Sequence, residues 1–201
     1  MAVLIGIAWT VSIGLATRPL FIYENTAGMP GAPGSHWPST NLIQRSRGKF
    51  TLVMFAHPDC PCTRASIAEL GMLMTKLPGK LDAVVEFRKP GASERDARTT
   101  DLWQTAAAIP GASVRFDNDG QAVRAFGAAV SGQTMLYDRE GRLVFSGGIT
   151  AFRGHVGDSP GADAIIRRVS GGQAPIRAAV FGCSLRDPDT QQLQREPAWS
   201  K

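Results

Sequence analysis

A chain of 201 residues with 43% hydrophobic and 19% charged residues holds enough apolar material for one sizeable core and does not have the composition of a disordered or fibrous chain. Its formal net charge of +5 is scattered, with pairs such as Arg167-Arg168 but no long basic run interleaved with aromatics. Nucleic acid is therefore not the expected partner, and the excess reads as a solvated surface suited to anionic lipid or an acidic partner. Three cysteines are too few, and odd in number, for a disulfide scaffold; they leave one pair and a remainder.

From the N-terminus, Ala2 to Thr17 carry no charge, and after Arg18 and Pro19 the apolar character resumes through Leu20-Phe21-Ile22-Tyr23. About twenty residues can thus enter a bilayer. Such a run lacks the polar face of a helix lying on a soluble core, so residues 1–23 are expected to be a membrane anchor or an export signal. A signal peptide has a basic leading region, missing here, although Gly14-Leu15-Ala16 offers small residues for cleavage. Residues 24–36 are rich in Gly and Pro and read as a spacer. The globular domain is expected over 37–185, and 186–201 reads as a mobile polar tail.

Within the domain, an apolar strand is predicted near 50–57 and a helix near 61–77, ended by Pro78-Gly79. A strand follows at Ala83-Val84-Val85-Glu86-Phe87, then a charged loop with Pro90-Gly91. A second helix is expected from about Thr100 to Ala108, stopped by Pro110-Gly111, then a strand at Ser113-Val114-Arg115-Phe116. Asp117-Asn118-Asp119-Gly120 is turn chemistry, followed by a short helix with Val123 and Phe126 on one face. Thr134 to Tyr137 and Arg142 to Phe145 flank the turn Asp138-Arg139-Glu140-Gly141 as a hairpin. A last helix runs near Ala162 to Val169, and an apolar piece, Ala178-Ala179-Val180-Phe181, precedes the tail. This order predicts an α/β sandwich: parallel strands joined by right-handed crossovers, with an antiparallel hairpin completing a mixed sheet.

Chemical sites in such sheets gather at the carboxyl ends of the parallel strands, and Cys60-Pro61-Cys62 lies there, between the first strand and its helix. A thiol at a helix start faces unpaired N–H groups and the positive end of the helix dipole, which favour the thiolate. The strand-to-helix run Leu52 to Leu70, with its His57-Pro58-Asp59-Cys60-Pro61-Cys62-Thr63-Arg64-Ala65 centre, and the Gln133 to Arg142 hairpin resemble the thioredoxin-like superfamily. The likeness is strongest to its membrane-tethered, periplasm-facing branch and to RedB-type thioredoxin-domain proteins, over roughly Trp37 to Leu185.

That resemblance implies a thioredoxin-like fold and thiol-disulfide exchange with protein or small-molecule thiols outside the cytoplasm, from a bacterial inner-membrane or exported protein. It places Cys60 at the nucleophilic position. The second cysteine of the superfamily falls on Thr63, with Cys62 one place earlier, and the cis-proline that flanks the thiol falls on Gly132.

Exchange needs a second thiol to release the mixed disulfide. Residues two apart in a helix point to nearly opposite sides, so Cys62 reaches Cys60 only if Pro61 holds the first turn out of helical form. Cys62 is the expected partner; Cys183, delivered by the tail, is the alternative, against its bland reading as a buried inert thiol. Thr63, on the Cys60 face, can hydrogen-bond a thiolate or simply satisfy helix N-terminal donors. Arg64 and Asp59 read as a surface ion pair or as charges near the site. His57, three residues before Cys60, and His155, in the loop after the hairpin, lie at the same sheet end.

No cofactor is needed for exchange. A second reading is a copper-binding chaperone of the same fold, in which Cys60 and Cys62 with His57 or His155 bind Cu(I). A single-thiol peroxidase-like enzyme and an inactive interaction module complete the alternatives.

Overall fold

The computed structural model describes residues 2–58, 60–88 and 97–185. Asp59, the Pro90-Gly91 loop and the polar tail at 186–201 lie outside them. Five strands form one sheet in the order β3-β2-β1-β4-β5: β1 (Phe50–Ala56), β2 (Leu81–Arg88), β3 (Ala112–Asp117), β4 (Thr134–Tyr137) and β5 (Leu143–Gly147). The first three are parallel, with Phe50 opposite Leu81 and Ala83 opposite Ala112. β4 returns antiparallel beside β1, with Leu52 opposite Leu136, and forms the hairpin with β5. Helices α2 (Pro61–Lys76), α3 (Asp101–Ala107), α4 (Gln121–Phe126) and α5 (Pro160–Val169) connect and flank the sheet. This is the thioredoxin-like sandwich that the resemblance implies.

β1 is the central strand and reads as a continuous apolar run because both of its faces are covered. Leu52, Met54 and Ala56 point to the side of α2 and α5, where Leu70, Leu73, Phe87, Phe145 and Ile165 close the larger core. Val53 and Phe55 point to the opposite side, against Val123, Phe126 and Tyr137. Trp37 closes that second core, its ring 5.0 Å from Phe126 and 4.9 Å from Tyr137. Each such aromatic pair adds about 0.5–1.5 kcal/mol beyond area burial. The DNDG turn is held by its first residue: the Asp117 carboxylate accepts from the N–H groups of Ala122 and Val123 and so starts α4.

Helix α1 (Ala2–Asn25) runs unbroken through Pro19 and buries no residue, and it is long and apolar enough to cross a membrane. The Gly/Pro-rich stretch that follows is irregular, as its composition requires, yet it lies against the domain. Gly28 N–H donates to Val180 O at 2.8 Å. The buried Gln133 side chain accepts from Gly31 N–H and donates to Gly31 O, and Leu143 N–H reaches Ser35 O at 2.8 Å.

Candidate active site

β1 ends at Ala56, and the chain turns through His57 and Pro58 to put Cys60 at the N-cap of α2 with extended φ/ψ of −86° and 116°. Pro61 is the first helical residue. The proline was expected to keep the first turn non-helical, and the structure corrects this: its fixed φ suits the N1 position, where no N–H is needed, so the helix begins at Pro61. Cys60 N–H donates to His57 O at 3.2 Å and Thr63 N–H to Cys60 O at 3.0 Å, which fixes the corner. Cys60 is 2% exposed and Cys62 7%, and Cys183 is half-buried; all three are free thiols.

Cys60 meets the alternative thiol, Cys183, as well as the expected one, Cys62. Cys183 Sγ shares a hydrogen bond with Cys60 Sγ at 3.1 Å, across 123 positions of sequence. Cys62, the second residue of the helix, also interacts with Cys60, through its charge and through a side-chain hydrogen bond. Cys183 arrives on an irregular strap, residues 176–185, which crosses the carboxyl end of the sheet. Ser131 N–H donates to Cys183 O at 2.8 Å and Leu185 N–H to Ala129 O at 2.9 Å.

The three thiols differ in acidity. Burial pushes the Cys60 thiol up, but hydrogen bonds from the Cys183 side chain and backbone, the Thr63 hydroxyl and the Cys62 backbone outweigh it and hold Cys60 below the ordinary thiol range. Burial and the Cys60 charge raise Cys62, against a hydrogen bond from Arg153. Burial, reinforced by the Cys60 hydrogen bond and the charges of Cys60 and Cys62, pushes Cys183 up to about 12. The Cys60 pKa is thus held down, while those of Cys62 and Cys183 are pushed up.

Thr63 is fully buried, and its hydroxyl does not cap the helix. It lies 2.8 Å from Ser131 Oγ and 3.2 Å from His57 O, while Ser131 Oγ accepts from His57 N–H at 2.9 Å. With that acceptance made, Ser131 O–H donates to Thr63 and Thr63 O–H faces His57 O and Cys60. Ser131 was not anticipated from sequence; its one signal is its place next to Gly132. Gly132 itself has φ +86°, its N–H donates to Phe55 O at 2.7 Å, and an added Cβ would meet Ser66 Oγ at 2.8 Å. Glycine is required there, and its backbone continues the β1–β4 pairing.

Arg64 forms an exposed ion pair with Asp101 at 2.8 Å, and its hydrogen bond holds the Asp101 carboxyl below its ordinary range. The pair borders a groove of about 400 Å³ whose wall includes Pro58, Cys60, Pro61 and Leu102. The loop after β5 packs on α2, where Gly157 N–H donates to the buried Glu69 carboxylate. From this loop Arg153 reaches the thiols, whereas the His155 ring stacks on Phe152 at 4.2 Å. His57 serves the corner through its backbone N–H and C=O. The sulfurs of Cys60 and Cys183 are in contact, and among the described residues no group of three or more His, Cys, Asp or Glu is placed to hold a metal ion.

No family model and no curated relative matches the chain. Among solved structures, an uncharacterized conserved protein from Geobacillus kaustophilus is similar at 17% identity and TM-score 0.60, over 82% of this chain and 94% of that one. A hypothetical protein from Sinorhizobium meliloti matches at 20% identity and TM-score 0.61, over 80% and 98%. A secreted Mycobacterium tuberculosis disulfide oxidoreductase homologous to E. coli DsbE matches at 17% identity and TM-score 0.43, over 62% and 83%. At these identities the first two share the fold alone, and the third carries no functional weight.

Proposed function

We propose that this chain, a member of the thioredoxin-like superfamily, is a thiol-disulfide oxidoreductase in which Cys60 is the nucleophile, Cys183 the resolving thiol and Cys62 a third thiol beside them. The observation that carries the reading is the 3.1 Å separation of the Cys60 and Cys183 sulfurs, with Cys60 the more acidic of the two. A disulfide needs about 2.05 Å, so a shift of roughly 1 Å closes the bond.

The exchange balances as follows. The Cys60 thiolate attacks one sulfur of a substrate disulfide; the Cys60–substrate bond forms, the substrate S–S bond breaks, and the other half leaves as a thiolate. Cys60 is then neutral, which removes the charge and the hydrogen bond that raise Cys183. Cys183 gives its proton to water and attacks Cys60 Sγ, forming Cys60–Cys183 and expelling the second half as a thiolate. Two electrons pass from the protein dithiol to the substrate, and the reverse sequence oxidises a substrate dithiol. Thr63, ordered by Ser131, stabilises the Cys60 anion. Substrate thiols and disulfides of protein or small-molecule type enter along the groove at Pro58, Pro61 and Arg64.

α1 is the membrane anchor or export segment in this reading, with the domain, 37–185, facing an oxidising space such as the periplasm and with a functional likeness to RedB-type proteins. The copper-chaperone reading draws its support from the Cys60 and Cys183 sulfurs 3.1 Å apart, soft donors suited to Cu(I).

The test uses the full chain in detergent, equilibrated with glutathione redox buffers, alkylated and peptide-mapped. A two-electron transition joining Cys60 to Cys183 is expected. Cys183→Ser should accumulate a Cys60 mixed disulfide, whereas Cys62→Ser should turn over. Trapping by Cys62→Ser instead would return the resolving role to Cys62. Stoichiometric Cu(I) held against a competing chelator, lost in each single cysteine variant and without a disulfide transition, would replace exchange by metal delivery.

A further inference from the structure

Arg153 lies between the end of the membrane-length helix and the strap that carries Cys183. Its backbone N–H donates to Glu24 O at 3.1 Å and its Nε to Tyr23 O at 3.0 Å. Its guanidinium carbon sits 4.7 Å from the centroid of the Tyr23 ring. On the other side, Nη1 donates to Gly182 O at 2.9 Å, one residue before Cys183.

Helix geometry leaves the last carbonyls of α1 without intrahelical donors, and Arg153 supplies donors to two of them. Gly182 is in turn pressed against the chain at Ser131, where an added Cβ would stand 1.9 Å from Ser131 O. The strap beside Cys183 therefore touches Ser131 on one side and the Arg153 fork on the other. A planar guanidinium suits this task because its N–H groups point in fixed directions and serve two separate carbonyls at once.

We infer that Arg153 is a positioning residue for the exchange: it ties the strap next to Cys183 to the end of α1 and so holds the Cys183 sulfur against Cys60. The role rests on the exchange reading given above. It makes the junction of α1 with the domain part of the redox site. A displacement of Tyr23 and Glu24 from the domain withdraws the fork from Gly182 and lowers the effective concentration of Cys183 at Cys60. The same charge, placed at Cys62, favours the Cys62 thiolate, which gives the role a second and separate readout.

The experiment compares wild type, Arg153→Gln and Arg153→Lys as full chains in detergent micelles. It measures the dithiol–disulfide equilibrium of Cys60 and Cys183 in glutathione buffers and the pH midpoint of Cys62 alkylation. Loss of a hydrogen bond from a charged donor is expected to shift the equilibrium toward the dithiol by about tenfold or more in Arg153→Gln, and the Cys62 midpoint should rise. Arg153→Lys should restore the midpoint through its charge but not the equilibrium, because an ammonium cannot span Tyr23 O and Gly182 O as the fork does.

If Arg153→Gln does not fold, the equilibrium shift in Arg153→Lys carries the test. Variants that lose thermal stability while keeping both wild-type values would show a merely structural residue and overturn the inference. A wild-type chain that forms the disulfide while Arg153→Gln matches it removes the Arg153 role alone. A wild-type chain that forms no Cys60–Cys183 disulfide at any glutathione poise removes the exchange reading, and this role with it.

Discussion

Two segments built on opposite terms meet at Cys60. The corner from Phe55 to Thr63 is local: a buried strand, a proline at the first helical position and hydrogen bonds among Cys60, His57 and Thr63 fix the sulfur within a few residues of chain. The strap from Ile176 to Leu185 has no regular element, and its place is set from afar. Its carbonyls at Ile176, Ala179, Val180 and Cys183 accept from Ser146, Gly148, Gly28 and Ser131, and Gly182 O accepts from Arg153. The contrast teaches that the Cys60 sulfur is positioned by secondary structure, whereas the Cys183 sulfur is positioned by tertiary hydrogen bonds that other parts of the chain donate. Perturbing the first should alter chemistry with the fold intact, and perturbing the second should alter the pairing of sulfurs.

The largest effect is expected at the corner. Cys60→Ser removes the nucleophile and should abolish disulfide exchange while leaving the thermal midpoint close to wild type; full activity in an insulin- or glutathione-based assay would dismiss Cys60 as the attacker. A smaller and different effect is expected from the strap. Gly182→Ala drives a methyl into Ser131 O, a backbone atom with little freedom to yield, and overpacking of this kind costs about 1–3 kcal/mol. The Cys60–Cys183 disulfide should become several-fold less favoured, with Cys60 alkylation persisting; an unchanged pairing equilibrium would mean that the strap position does not govern the chemistry.

The smallest effect lies outside both segments and serves as the control. Glu86, 2% exposed on β2, has one carboxylate oxygen without a hydrogen bond, though Arg115 Nε stands 3.4 Å away. Burial pushes its carboxyl up to about 7, opposed by Arg115 and reinforced by Asp117. Because the folded value exceeds the unfolded one, the stability linked to this group is full below an ordinary value near 4.5 and is lost as pH rises through 7. Glu86→Gln should remove that loss and raise the thermal midpoint at pH 8 by roughly 2–4 °C, with little change at pH 4 and none in sulfur pairing. A variant that melts with the wild-type pH profile would show that Glu86 is ionised in the fold without cost.

Much of this was legible beforehand. The strand and helix bounds around Cys60, the Thr134 to Phe145 hairpin and the helix near Ala162 follow from apolar periodicity and from Pro, Gly and Asp at element ends, which act over a few residues. Thr63 was readable as a thiolate neighbour because helical spacing alone brings it to the Cys60 face; Arg64 was expected to be offset by Asp59, which lies outside the described residues, and it pairs with Asp101. Ser131 and Arg153 were not, since a serine beside a glycine and an arginine in a loop carry no periodic signal. His155 was singled out for its chemistry; its ring lies against Phe152, while Arg153 of the same loop acts on Cys62 and Cys183.

By itself the amino-acid sequence determined the sandwich, the apolar N-terminal helix and the location of a thiol at the start of α2, because hydrophobic pattern, capping and the helix dipole are properties of adjacent residues. That the Cys183 sulfur comes within 3.1 Å of Cys60 was decided only by the tertiary structure. A contact across 123 positions depends on where an irregular strap is pinned, and that is settled by hydrogen bonds from Ser131, Arg153 and Gly28, whose partners no local pattern reveals.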